Sequence, residues 1–78
     1  MQKTSAFILI TIQAGKSLEI LEQIKTVHGV KNAYLVTGPY DIIVLIEDDT
    51  TETVGNRVIN RLHIIPGITH TMTCIVIS

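Results

Sequence analysis

From residue 5 to residue 12 the chain reads Ser-Ala-Phe-Ile-Leu-Ile-Thr-Ile, a run too short and too β-branched for a helix and closed by Gln13-Ala14-Gly15-Lys16. It predicts a first strand. Leu18, Leu21, Ile24 and Val27 then recur at i, i+3, i+6 and i+9, the spacing of one helical stripe, with Ser17 placed to cap it. Glu19 and Glu22 near the start and Lys25 near the end suit the helix dipole, and Gly29 stops the helix. Val30 to Thr37 suits a second strand, Gly38-Pro39 a turn, and Tyr40 to Glu47, with Ile-Ile-Val-Leu-Ile inside it, a third strand. Asp49-x-x-Glu52 has the form of a capping box, and Val54, Val58, Ile59 and Leu62 carry a second helix to about His63. Gly55 inside that helix suggests close approach to another backbone. After Pro66-Gly67 the last strand runs from Ile68 to Ile77, with Thr69, Thr71 and Thr73 on one face and His70, Met72 and Cys74 on the other.

The predicted order is strand, helix, strand, strand, helix, strand. His28-Gly29-Val30 enters the second strand as Pro66-Gly67-Ile68 enters the fourth, which is the doubling of a split βαβ unit. The fold class is therefore α+β: a ferredoxin-like βαββαβ domain over residues 1–78, with a four-stranded antiparallel sheet and two helices on one face.

A sheet covered on one side normally alternates apolar with polar. The two central strands do not. Phe7 and Leu9 oppose Ile8, Ile10 and Ile12, and Ile42, Val44 and Ile46 oppose Ile43 and Leu45, so both faces are apolar while the helices cover only one. Leaving several such side chains in water would forfeit several kcal/mol at about 25 cal/mol per Å². That is comparable to the whole stability of a small domain. A homodimer with sheets packed face to face follows, its interface assigned to Ile8, Ile10, Val44 and Ile46. A monomer with an exposed patch, or a sheet covered by a different protein, is the competing reading.

Composition sharpens this picture. The chain has 78 residues, of which 46% are apolar and only 17% charged. A chain that short buries only roughly 60–65% of the surface its unfolded form exposes, so one private core is marginal. Six Lys and Arg against seven Asp and Glu leave no basic field, which argues against direct DNA or RNA binding. Apolar runs of five residues are too short to span a membrane. One cysteine forms no internal disulfide and the start of the chain has no signal-peptide pattern, so the cytoplasm is the expected compartment.

Candidate chemistry is sparse. His70 and Cys74 share a strand face but lie about 13 Å apart along it, too far to grip one ion, and His28 and His63 sit where helix C-termini attract an imidazole. No catalytic motif, metal site or cofactor is expected. Asp48-Asp49 reads as solvated charge, Cys74 as a core thiol, and Arg57 with Arg61 as a solvated face or an assembly contact. The informative segment is Thr37-Gly38-Pro39-Tyr40-Asp41. It is either a plain hairpin turn with a local Asp hydrogen bond or a small-ligand clamp. As a clamp, its free amides receive a carboxylate and Asp41 an ammonium, with the last-strand threonine hydroxyls brought near by a partner subunit. A molecule with both charges is an α-amino acid.

Val36 to Val44 around that turn, with Gly29-Val30 before it and Pro66-Gly67-Ile68-Thr69-His70-Thr71-Met72-Thr73 after it, resembles the effector-binding (RAM) domain of the Lrp/AsnC, or feast/famine, transcription regulators. The resemblance covers essentially the whole chain, and because the sequence starts at the first strand it is similar to the stand-alone form that lacks the helix-turn-helix domain. It implies a sheet-to-sheet dimer, rings of dimers that are commonly octamers, and an amino-acid effector bound between dimers by Gly38, Pro39, Tyr40 and Asp41 with Thr69 and Thr71. It further implies indirect control of transcription through full-length Lrp/AsnC-type regulators, and no enzymatic activity. Pro39 stands where the family often has an acidic residue, which removes a charge and a backbone donor. An ACT-type regulatory domain shares this strand order, and a cofactor-free oxygenase or isomerase is the enzymatic alternative, its acid/base candidates being Tyr34, His70 and Asp41.

Overall fold

The computed structural model describes residues 3–78. The elements run β1 (Thr4–Ile12), α1 (Ser17–Lys25), β2 (Val30–Leu35), β3 (Ile42–Asp48), α2 (51–63) and β4 (Ile68–Ile75). The sheet order is β2-β3-β1-β4, with every neighbouring pair antiparallel, which is the ferredoxin-like arrangement.

The core lies between the sheet and the two helices. Ala6, Ile8 and Ile10 of β1 and Ile42, Val44 and Ile46 of β3 are fully buried against Ile20 and Ile24 of α1 and Val54, Val58 and Leu62 of α2. This corrects the interface assignment. Ile8, Ile10, Val44 and Ile46 belong to the helix-covered face and present nothing to a partner. The two alternating sets of each central strand are both apolar, so alternation separates them without saying which one the helices take.

Residues paired across a ladder share a face. The registers therefore define the open face as two cross-sheet rows, Tyr34–Ile43–Leu9–Met72 and Asn32–Leu45–Phe7–Cys74. Phe7 is 41%, Tyr34 55% and Met72 45% exposed, so the apolar excess seen in the sequence sits here. Cys74 is exposed on this face and is not a core thiol.

The helices depart from expectation in detail. Ser17 is the first helical residue, and the preceding Lys16 makes no side-chain cap. The buried positions of α1 are Ile20 and Ile24, while Leu18 is 70% exposed. Two residues along a helix turn about 200°, so burying Ile20 sends Leu18 outward. In α2 the cap is Thr50, exchanging hydrogen bonds with Thr53 in place of the Asp49 and Glu52 pair. Its middle, Val54–Ile59, winds as a π-helix between α-helical ends at Thr51–Thr53 and Asn60–His63. Gly55 faces open space, and nothing lies within 4 Å of the Cβ it lacks. The close approaches are elsewhere: a Cβ on Gly29 would meet Val58 Cγ2, and one on Gly67 would meet Ile20 Cδ1, each at 2.6 Å.

Candidate functional site

One end of the sheet gathers the residues singled out by sequence. β1 ends there, β3 begins there, and β4 enters there after Pro66-Gly67. The 36–41 turn is fastened to β1 and β2 by Asp41, whose N–H donates to Ile10 O at 2.9 Å and whose carbonyl accepts from Val36 N at 2.9 Å. Its carboxylate does more. Asp41 Oδ2 accepts from the Ile12 N–H at 2.9 Å, tying the turn to β1 beyond the last β1–β3 pair, Ile10 with Ile42. The Asp hydrogen bond is thus not local to the turn but reaches across 29 residues.

Beside this latch lies a cavity of about 310 Å³ lined by Ile12, Gln13, Ala14, Ser17, Leu35, Val36 and Asp41. Among the described residues no cation pairs with Asp41, so one carboxylate oxygen serves the fold and the other remains without a protein partner. Gly38 and Pro39 stand exposed at the tip. Gly38 adopts φ +139° with open space around it, and among the described residues the amides of Gly38 and Tyr40 make no backbone hydrogen bond.

Tyr40 points the other way. Its hydroxyl reaches Met72 Sδ at 3.4 Å, across the open face. The last-strand threonines lie on the far side of β1. Thr69 sits at a register shift between β1 and β4, where its hydroxyl donates to Thr11 O at 3.1 Å and lies 3.0 Å from Thr11 Oγ1. Thr71 Oγ1 lies 2.9 Å from His63 Nε2, in a second cleft of about 310 Å³ shared with Ile68, Thr69 and His70. Within one chain, then, Asp41 opens into one cavity and Thr69 with Thr71 into another, separated by the end of β1. The three enzymatic candidates are also apart. Tyr34 is on the open face, Asp41 in its own cavity, and His70 at the β4 cleft.

Several partners here are invisible to local pattern: Ile12, Thr11, Met72 and His63 meet the singled-out residues across 8 to 58 positions, which no spacing rule anticipates. A further group was misread. Asp48 is buried, not solvated, and Arg57 approaches its two oxygens at 3.2 and 3.3 Å. The Asp49 N–H donating to Asp48 Oδ1 at 2.8 Å, seconded by the Arg57 guanidinium, holds this carboxyl below the usual carboxylate range against the opposing effect of burial. Among the described residues no group of three or more His, Cys, Asp or Glu side chains is placed to hold a metal ion. No helix there is long and apolar enough to cross a membrane.

Residues 5–78 match the model of the Lrp/AsnC ligand binding domain. The chain belongs to this family. An uncharacterised HTH-type transcriptional regulator of Pyrococcus horikoshii is 35% identical over 75 residues, covering 92% of this chain and 50% of that protein. The chain thus spans about half the length of the curated relatives it matches. The crystal structure of FFRP-DM1 superposes with a TM-score of 0.87 at 38% identity, over 95% of this chain and 99% of that one. That of E. coli AsnC superposes with a TM-score of 0.88 at 26% identity, over 96% of this chain and 51% of that one.

Proposed function

We propose that this chain is an amino-acid effector-binding and self-associating module that acts on transcription indirectly, through Lrp/AsnC-type regulators, without touching DNA itself and without catalysis. The observation that carries the reading is the carboxylate of Asp41, half committed to the Ile12 amide and half facing a cavity beside a turn with unpaired amides. A primary ammonium suits the free oxygen, and the Gly38 and Tyr40 amides suit a carboxylate. Thr69 and Thr71 face a different cleft of the same chain, so they join the clamp from a neighbouring copy, and the complete site exists only in the assembly. Phe7, Leu9, Ile43 and Leu45 supply the dimer contact by packing open face on open face, and further association of dimers, up to an octamer, brings the two half-sites together. The relatives carry regulator names, which favours this reading over the oxygenase or isomerase one.

Ligand binding at such a site shifts the equilibrium among assemblies by mass action. Isothermal calorimetry with a panel of amino acids, followed by light scattering with and without each, tests this. Heat from at least one amino acid and a change in mean mass on its addition are expected. No heat and no mass change with any of them would sink the effector role.

A further inference from the structure

The β4 cleft holds one side chain that the effector reading leaves without a task. His63 is the last residue of α2 and lies exposed. Its Nε2 stands 2.9 Å from Thr71 Oγ1, and Ile68, Thr69 and His70 complete the cleft. The two threonine hydroxyls there are not equivalent. Thr69 gives its hydrogen to Thr11 O at 3.1 Å, between β4 and β1, so it has only lone pairs left to offer. Thr71, among the described residues, has His63 as its one side-chain hydrogen-bond partner. What Thr71 presents to the cleft therefore depends on the ring. A bare Nε2 takes the hydroxyl hydrogen and leaves lone pairs facing outward. An Nε2 that carries hydrogen, as in the imidazolium and in one of the two neutral tautomers, donates to Oγ1 and frees the hydroxyl hydrogen for another acceptor.

We infer, on the basis of the effector reading above, that His63 is a positioning residue for the effector: through Thr71 it sets a hydroxyl donor for the ligand carboxylate, and its ring takes up a proton as the ligand binds. No carboxylate lines this cleft, while two imidazoles do, so it suits the negative end of a zwitterion. Asp41, in the other cavity, suits the positive end. A carboxylate only accepts, so it needs the Thr71 hydrogen turned toward it and Nε2 carrying a hydrogen of its own. One neutral tautomer meets that need. The imidazolium meets it too and adds a positive charge behind the hydroxyl, which strengthens the bond. Binding therefore favours the charged ring, and by linkage the affinity rises as pH falls through the ordinary imidazole range. The other charged or titratable groups about the ring are His70, which lines the cleft from β4, and Arg61, two residues back on α2. Arg61 keeps its charge throughout, so His70 is the group to separate from His63.

Calorimetric titration of the whole chain with each member of the amino-acid panel, between about pH 6 and pH 8 and so above the ordinary carboxylate range, tests this. The wild-type chain is expected to bind its effector roughly fivefold or more tightly at the lower pH, the margin by which a charge-assisted hydrogen bond exceeds a neutral one. Titrations near pH 7 in buffers of different ionisation enthalpy are expected to show net proton uptake on binding. His63→Gln keeps a donor and an acceptor but cannot take up the proton, so it is expected to bind with one affinity across the range and without uptake. Thr71→Val, which removes the hydroxyl, is expected to bind more weakly and to lose the pH response with it. His70→Gln is expected to keep the pH response and the uptake, whatever it does to the affinity itself. His63 and His70 are exposed and Thr71 is half-buried at the sheet edge, and circular dichroism checks that each variant keeps the fold. Binding that is flat with pH overturns the role given to His63 and leaves the effector reading standing. So does a pH response that survives His63→Gln or Thr71→Val, or one that disappears with His70→Gln. No heat from any amino acid at any pH overturns both.

Discussion

At the scale of single residues, Asp41 is the side chain whose two oxygens do different work. Asp41→Ala removes the acceptor for the Ile12 N–H and is expected to lower stability by about 1–2 kcal/mol, measured by urea denaturation. Asp41→Asn keeps an acceptor and loses the charge, so it is expected to retain most of that stability while losing affinity for the effector ammonium. The glycines separate in the same way. Gly67→Ala combines φ +98° with a 2.6 Å collision against Ile20 Cδ1 and is expected to cost about 1–3 kcal/mol or more, whereas Gly38→Ala, in open space, meets only the backbone term of about 1 kcal/mol. Asp48 sets an acid limb. Its carboxyl titrates lower in the folded chain than in the unfolded one, so its contribution is present above the unfolded carboxylate range near pH 4 and is lost as pH falls through the lower folded value. Asp48→Asn is therefore expected to flatten the loss of stability as pH falls below about 4, read from denaturation midpoints at successively lower pH.

At the scale of elements, the strands were legible because period-two alternation and turn residues are local signals. β1 and β4 fall within a residue or two of their sequence-read limits. The stripe of α1 was less so. Leu18, Leu21, Ile24 and Val27 keep helical spacing, yet Ile20 is also apolar, and it is Ile20 with Ile24 that is buried while Leu21 and Val27 pack at the edge of the core and Leu18 turns outward. The π winding of α2 leaves no mark in composition. Gly55 lies within it against empty space, so Gly55→Ala is expected to stabilise the chain by about 0.5–1 kcal/mol, opposite in sign to the same change at Gly29 or Gly67; a thermal melt distinguishes them. The site was legible as a turn and as a run of threonines. Its internal connections were not, because Asp41 to Ile12 and Thr69 to Thr11 are tertiary contacts that no spacing rule yields.

At the scale of the whole molecule, the sequence announced an apolar surplus and the structure located it. Helices cover Ile8, Ile10, Val44 and Ile46, and the uncovered set is Phe7, Leu9, Ile43 and Leu45 with Tyr34 and Met72 beside them. The two sets respond differently to charge. Ile10→Asp buries a carboxylate in the core and is expected to unfold the chain, since the cost of several kcal/mol rivals the total stability. Leu45→Asp places its charge on the open face and is expected to leave a folded chain of lower mass. The most direct test of an assembled effector module is the native mass of the wild-type chain beside that of Leu45→Asp. Even multiples of the 8.6 kDa chain mass for the wild type, with loss of the open-face pairing in the folded variant, are the predicted result. A wild-type chain that stays at 8.6 kDa at every concentration, or a Leu45→Asp chain with wild-type mass and shape, would contradict it.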